Sequence, residues 1–102
     1  MSNRLRVLLH TVAPESGPSG LEQAYRQISE ELAGTPGLLG NELMHSLLDP
    51  GTFVVMSEWE SLEAFRVWEE GSTHRQSTAP LRPYQDQRRQ DRYGIYEVVA
   101  FY

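Results

Sequence analysis

The apolar and polar positions of this chain change period several times, and each change marks an element. Between Arg4 and Val12 apolar residues fall on both alternating sets, Leu5, Val7, Leu9 and Thr11 against Arg6, Leu8, His10 and Val12. That predicts a strand with apolar cover on both faces. Ala13 to Gly20 is a loop by composition. The period then becomes helical, with Leu21, Ala24, Tyr25, Ile28 and Leu32 on one stripe. Ser19 and Glu22 form a capping-box pattern at its start, and Gly34 followed by Pro36 ends it. Leu38 to Leu48 is a second strand candidate. There Asn41, Leu43, His45 and Leu47 alternate with Glu42, Met44, Ser46 and Leu48, and the alternation does not say which set faces in. Asp49-Pro50-Gly51 is turn chemistry that folds this strand back as a hairpin on Phe53 to Trp59, where Phe53, Val55, Ser57 and Trp59 share a face. Ser61 offers an N-cap oxygen to a second helix, with Leu62, Phe65 and Trp68 as its stripe. Beyond Gly71, Ser72 can cap a short helical segment through Ala79 that carries His74 and Arg75 and ends at Pro80 and Pro83. Tyr84 to Tyr93 reads as a polar connector, and Ile95 to Tyr102 as the last strand.

The resulting order, βαββαβ, predicts an α+β fold of the ferredoxin-like type, a four-stranded antiparallel sheet with both helices on one face. Residues 1–102 form one domain on this reading, and a domain of that size buries about two-thirds of the surface its unfolded chain exposes. Helices cover one face only, yet Leu8, Val54, Met56 and Val98 place apolar residues on the other. A second copy pairing its open face across a two-fold axis resolves the conflict, so a homodimer is expected.

Composition narrows the chemistry. The formal charge of −5, from 14 acidic and 9 basic residues without a basic run, argues against a nucleic-acid partner. The absence of cysteine excludes disulfides, thiolate catalysis and Cys-based metal sites. No apolar run approaches the roughly 20 residues that span a bilayer, and the N-terminus lacks a signal peptide's apolar core. No membrane partner and a cytoplasmic location are therefore expected. Walker loops, Gly-x-Ser-x-Gly elbows, dinucleotide fingerprints and paired metal-ligand motifs are all missing from the sequence.

Pro36-Gly37-Leu38-Leu39-Gly40, Ser57-Glu58-Trp59-Glu60-Ser61, Glu63-Ala64-Phe65, Trp68 and His74 together resemble the antibiotic biosynthesis monooxygenase domain, a small dimeric α/β barrel of the ferredoxin-like type. The resemblance runs from about Val7 to about Val99. It implies a cofactor-independent oxygenase, with no metal, that oxidises a polycyclic aromatic polyketide phenol or anthrone to a quinone using molecular oxygen. In such chemistry the deprotonated substrate is its own reductant. The protein contributes a shaped apolar cavity, a proton acceptor and hydrogen-bond donors. Quinone-forming members carry an asparagine and a tyrosine near the pocket tryptophan, where this sequence has Val55 and Phe65. The haem-degrading branch resembles the chain at Trp68, but its ligating histidine would fall near Thr78 and its first-strand asparagine near Leu8, which disfavours haem degradation here.

The resemblance makes Trp59 a pocket wall and His74 a candidate base. Phe65, Trp68, Tyr25, Val55 and Tyr84 are the expected substrate contacts, Trp68 as a ring able to floor a flat aromatic ligand and Tyr25 and Tyr84 as donors to a substrate oxygen. His74 is equally compatible with a solvated helix end. His10 is a second candidate base, or else a hydrogen-bonded core residue, which is the commoner fate of a buried polar group. A polyketide cyclase or isomerase would use the same base and cavity without oxygen. A non-catalytic binding partner of a biosynthetic enzyme would need no cavity, and is the reading to prefer if Phe65, Trp68 and Tyr25 fill it.

Overall fold

Four strands and two helices follow one another as β1 (Leu5–Val12), α1 (Ser19–Leu32), β2 (Leu38–His45), β3 (Thr52–Trp59), α2 (Leu62–Glu69) and β4 (Tyr93–Glu97), with a 3-10 helix at Ala79–Tyr84 before the last strand. The structure is a computed structural model that describes residues 3–71, 78–91 and 93–102. The sheet order is β2-β3-β1-β4 and all pairs are antiparallel, so the ferredoxin-like α+β arrangement expected from the pattern is the one observed.

Register fixes the two faces, because residues directly opposite in antiparallel strands point the same way. Leu5, Val7, Leu9 and Thr11 of β1 lie opposite Trp59, Ser57, Val55 and Phe53 of β3, and this set carries the core under the helices. Arg6, Leu8, His10 and Val12 lie opposite Glu58, Met56, Val54 and Thr52 on the other face. One core cluster gathers Leu21, Ala24, Ile28 and Leu32 of α1 over Phe53 and Leu81. The second joins Phe65 of α2 to Leu5, Val7 and Trp59. Thr11, buried in the sheet, donates its hydroxyl to the Phe53 carbonyl at 2.9 Å.

The corner between β3 and α2 forms as its sequence dictates. Ser61 is extended and its Oγ accepts the Ala64 amide at 3.1 Å, satisfying one of the unpaired donors of the first turn. Gly37 brings the chain against this corner: its φ is +83°, and a Cβ there would overlap that of Ala64. Gly34, at φ +84°, takes the left-handed position beyond α1.

Several expectations are corrected. The capping box at Ser19 does not form. The helix begins at Ser19 itself, with Pro18 as N-cap and the Glu22 amide bonded to the Pro18 carbonyl at 2.9 Å. Strand β2 ends at His45, and Ser46 to Gly51 make the turn, with the Thr52 amide bonded to the Asp49 carbonyl at 2.9 Å. Leu62 is 43% exposed and does not join the α2 stripe. Pro80 and Pro83 sit within the 3-10 helix, and its Leu81 is 2% exposed in the core. Strand β4 stops at Glu97. Val98 still bonds the Arg4 carbonyl at 2.9 Å, but Val99, Phe101 and Tyr102 are exposed. The helical segment expected from Ser72, with His74 and Arg75, lies outside the described residues up to position 77.

One buried charge lies in the stretch expected to be a connector. Asp86 is almost wholly buried, and it accepts the backbone amide and Nε of Arg88 through Oδ1, at 3.0 and 2.9 Å, and Nη2 through Oδ2 at 3.2 Å. This bonding holds its carboxyl below the usual aspartate range. A depressed folded pKa means that the stabilisation is present above the unfolded value and is lost as pH falls through the folded one. Melting temperature should therefore drop steeply on the acid side in the wild type. In Asp86→Asn that acid-side slope should flatten, as followed by circular dichroism across a pH series.

Candidate functional site

Between the sheet and the helices lies a cavity of about 190 Å³. Its floor is Val7 and Leu9 of β1 and Val55 of β3, and its sides are Ile28 and Leu32 of α1, Phe65 and Trp68 of α2, Leu81, and Tyr93 of β4. This composition follows from the fold. The floor residues occupy the middle of the helix-facing set, and the two core clusters fill the space on either side without closing the middle.

Polar side chains complete the lining: Thr78, Gln85 and Glu69, and a group on the β2 wall. Asn41 of β2, on the helix-facing side, accepts two hydroxyls at Oδ1, from Tyr25 at 2.5 Å and from Ser29 at 2.9 Å. Directly opposite it in the β2–β3 register is Ser57, whose Oγ accepts the indole Nε1–H of Trp59 at 2.9 Å. Tyr25, Ser29, Asn41 and Ser57 all line the cavity. Glu69 of α2, 3.9 Å from Arg66, is the one carboxylate on the wall among the described residues. Among those residues no cluster of three or more His, Asp or Glu side chains is arranged to hold a metal ion.

The structure brings Phe65, Trp68, Tyr25 and Val55 together around this cavity. Trp59 is fully buried behind them, edge-on to Phe65 at 5.4 Å and 5.2 Å from Trp68. It reaches the cavity through its hydrogen bond to Ser57. Tyr84 packs against the α1 cluster, its hydroxyl close over Gly20, and is not among the lining residues. His10 lies on the opposite face of the sheet, opposite Val54. Burial holds its imidazole below its ordinary pKa, helped by Arg89 and opposed by Asp86 and Asp91. His45 stacks on Phe53 and closes the hairpin turn with an Nε2 contact of 2.7 Å to the Pro50 carbonyl. His74 lies outside the described residues.

Asn41, Ser29, Ser57 and Glu69 were not expected as site residues. The signal for Asn41 is its parity with Leu43, which the alternation of β2 leaves unoriented. Val55 and Phe65 make apolar the positions where the resembled quinone-forming members carry an asparagine and a tyrosine. Here Asn41 and Tyr25 bring those two side-chain types to the same cavity from β2 and α1.

The chain is 30% identical over 98 residues to protein SchA of Streptomyces halstedii, covering 96% of this chain and 26% of the relative. It is also 30% identical over 79 residues to a 42.8 kDa protein in the whiE locus of Streptomyces coelicolor, covering 78% of this chain and 20% of that protein. The chain thus spans about a quarter or less of the length of these curated relatives. Among solved structures, a mutant of SnoaB, a cofactor-independent oxygenase from Streptomyces nogalater, superposes with a TM-score of 0.80 at 14% identity, covering 98% of this chain and 97% of that one. At that identity the likeness shows a shared fold. The family model for antibiotic biosynthesis monooxygenase matches residues 6–79, from β1 to the start of the 3-10 helix, and this chain belongs to that family.

Proposed function

We propose that the protein is a cofactor-independent oxygenase that converts a polycyclic aromatic phenol or anthrone to a quinone in the cavity between sheet and helices. The observation that carries this reading is the cavity itself. Phe65, Trp68 and Tyr25 line open volume instead of filling it, and largely apolar walls carry a few polar groups, as a flat aromatic ligand with an acidic oxygen requires. One relative points the same way, polyketide synthase CurD of Streptomyces cyaneus, 29% identical over 93 residues.

For an anthrone the balance is simple. The ring methylene loses two hydrogens, one oxygen atom of O₂ becomes the new carbonyl, and the other leaves as water. The first step removes one proton and leaves an anion able to give an electron to oxygen. His74 is the proposed base, on the resemblance, and the cavity walls limit access of water while Asn41, held by Tyr25, faces the substrate oxygen.

The test is oxygen uptake by the whole chain with a simple anthrone under a strong chelator. Uptake above the spontaneous rate with quinone formation is expected, reduced by about 10²-fold or more in His74→Ala. Uptake at the spontaneous rate overturns the oxygenase reading, and substrate conversion without oxygen consumption would make the protein a cyclase or isomerase.

The open face carries Leu8, Val54 and Met56, half-buried, and Met44, 39% exposed. A second copy of the chain is its proposed cover. Sedimentation should show a dimer that Met56→Asp converts to monomer, and a wild-type monomer at micromolar concentration would rule this out.

A further inference from the structure

Two donors on the polar wall are set in advance for an anion, and neither is a residue that the sequence singles out. Asn41 Oδ1 already accepts two hydroxyls, which fixes the amide so that Nδ2, with its two hydrogens, is the atom left for a ligand. Among the described residues nothing accepts from that nitrogen. Ser57 has the complementary arrangement. Its oxygen is occupied as acceptor by the Trp59 indole, so its own O–H is directed elsewhere, and no described residue receives it. Asn41 and Ser57 are register partners on adjacent strands, a relation that places their Cβ atoms about 4.5–5.5 Å apart, and both line the cavity. Two donors that close together are within reach of one ligand oxygen. In a cavity lined largely by apolar side chains they stabilise negative charge there without having to reorient.

We infer that Asn41 and Ser57 form an oxyanion site that binds the substrate's acidic oxygen as a phenolate or enolate, with Tyr25, Ser29 and Trp59 as its positioning residues. The inference rests on the proposed aromatic substrate and deepens it, by making the ligand an enolisable or phenolic compound held in its ionised form. For a phenol the O–H bond breaks and its electron pair stays on oxygen; for an anthrone a ring-methylene C–H bond breaks and its electron pair is delocalised onto the carbonyl oxygen; in both the proton passes to the base. Tyr25 and Ser29 act through Asn41. Without them the amide is free to turn its Oδ1, an acceptor that repels the anion, toward the site. Trp59 acts through Ser57, whose hydroxyl would otherwise rotate to donate elsewhere.

The test measures ionisation without any turnover. The probe is 2-hydroxyanthraquinone, a flat phenol whose visible absorption changes on ionisation, titrated with pH when free and when bound to the whole chain. The wild type should lower the bound probe's pKa by roughly one unit per donor. Ser57→Ala and Asn41→Leu should each give back about half of that shift, and the double variant nearly all of it. Asn41→Asp keeps the acceptor for Tyr25 and Ser29 but supplies no donor, and should raise the bound pKa above that of the free probe. Tyr25→Phe and Ser29→Ala together should shrink the shift without abolishing probe binding, an effect that mere packing would not produce. A wild-type shift that persists in the double variant of Ser57→Ala and Asn41→Leu, or a probe that does not bind, overturns the oxyanion site. An Asn41-dependent shift in a protein that takes up no oxygen would uphold the site and reject the oxygenase.

Discussion

Replacing Trp59 by alanine is expected to remove about 3–5 kcal/mol of unfolding free energy, the range for deleting a large buried ring. Trp59 ends β3, pairs with Leu5 on one side and Leu38 on the other, and has no exposed surface. Its ring meets Phe65 edge-on and leans on Trp68, so it ties α2 to the sheet through a cluster of three aromatic side chains. A domain of 102 residues is held by roughly 5–15 kcal/mol in total, so the loss is a large share of its stability. Urea denaturation should show a lower midpoint with α2 signals and global signals still moving together. Trp59→Phe, which keeps a ring but loses the indole donor to Ser57, should cost much less and still disturb the probe titration. A loss below about 1 kcal/mol in the alanine variant would mean that Phe65 and Trp68 collapse into the vacated space.

That corner was legible because two local signals agree there. The period changes from two to 3.6 at Trp59, and Ser61 supplies a cap at the same point, so neither element depends on distant contacts for its boundary. Strand β1 was legible for a similar reason, with both faces apolar in a strand that has neighbours on both sides. The face of β2 was not. Gly40, Glu42 and Met44 are no more polar as a set than Asn41, Leu43 and His45, and what turns Asn41 inward is its pairing with Tyr25 and Ser29, 16 and 12 residues away in sequence. The polar wall was therefore invisible to alternation, which records average hydrophobicity and not hydrogen-bond partners.

Other misreadings share one physical cause, the reading of a residue by its type without its partner. Ser19 is a good cap residue, but Pro18 supplies the capping carbonyl one position earlier. Pro80 and Pro83 end α-helices, yet a 3-10 turn accepts both, and Leu81 between them anchors it in the core. Asp86 belongs to a polar stretch, but Arg88 satisfies both carboxylate oxygens and lets it be buried. The alternation of Val98 to Tyr102 reports a capacity for burial, and among the described residues nothing covers Val99, Phe101 or Tyr102. The ring of Phe101 does meet the Arg4 guanidinium, which lies over it at 4.9 Å.

Val55→Phe is expected to separate stability from function in opposite directions. Val55 lies between Leu9 and Leu43 in the sheet and forms part of the cavity floor, so a larger ring there projects into open volume rather than into a packed neighbour. Filling cavity space recovers roughly 24 cal/mol per Å³, which for the added ring atoms amounts to about 1 kcal/mol at most, less any rotamer strain. Unfolding free energy should hold or rise slightly. A ring substrate, however, loses the floor it lies on, and displacement of about 1 Å from its donors is enough to cost about 10²-fold in rate. Oxygen uptake should fall at least that far, and the bound-phenol titration should revert toward that of the free probe because the oxygen no longer reaches Asn41 and Ser57. If Val55→Phe instead loses stability while keeping uptake, the volume between sheet and helices is a packing gap and the chemistry lies elsewhere. Stability kept and uptake lost, in the same variant, is the result that a ligand cavity requires, because a gap that serves no ligand has nothing to lose by being filled.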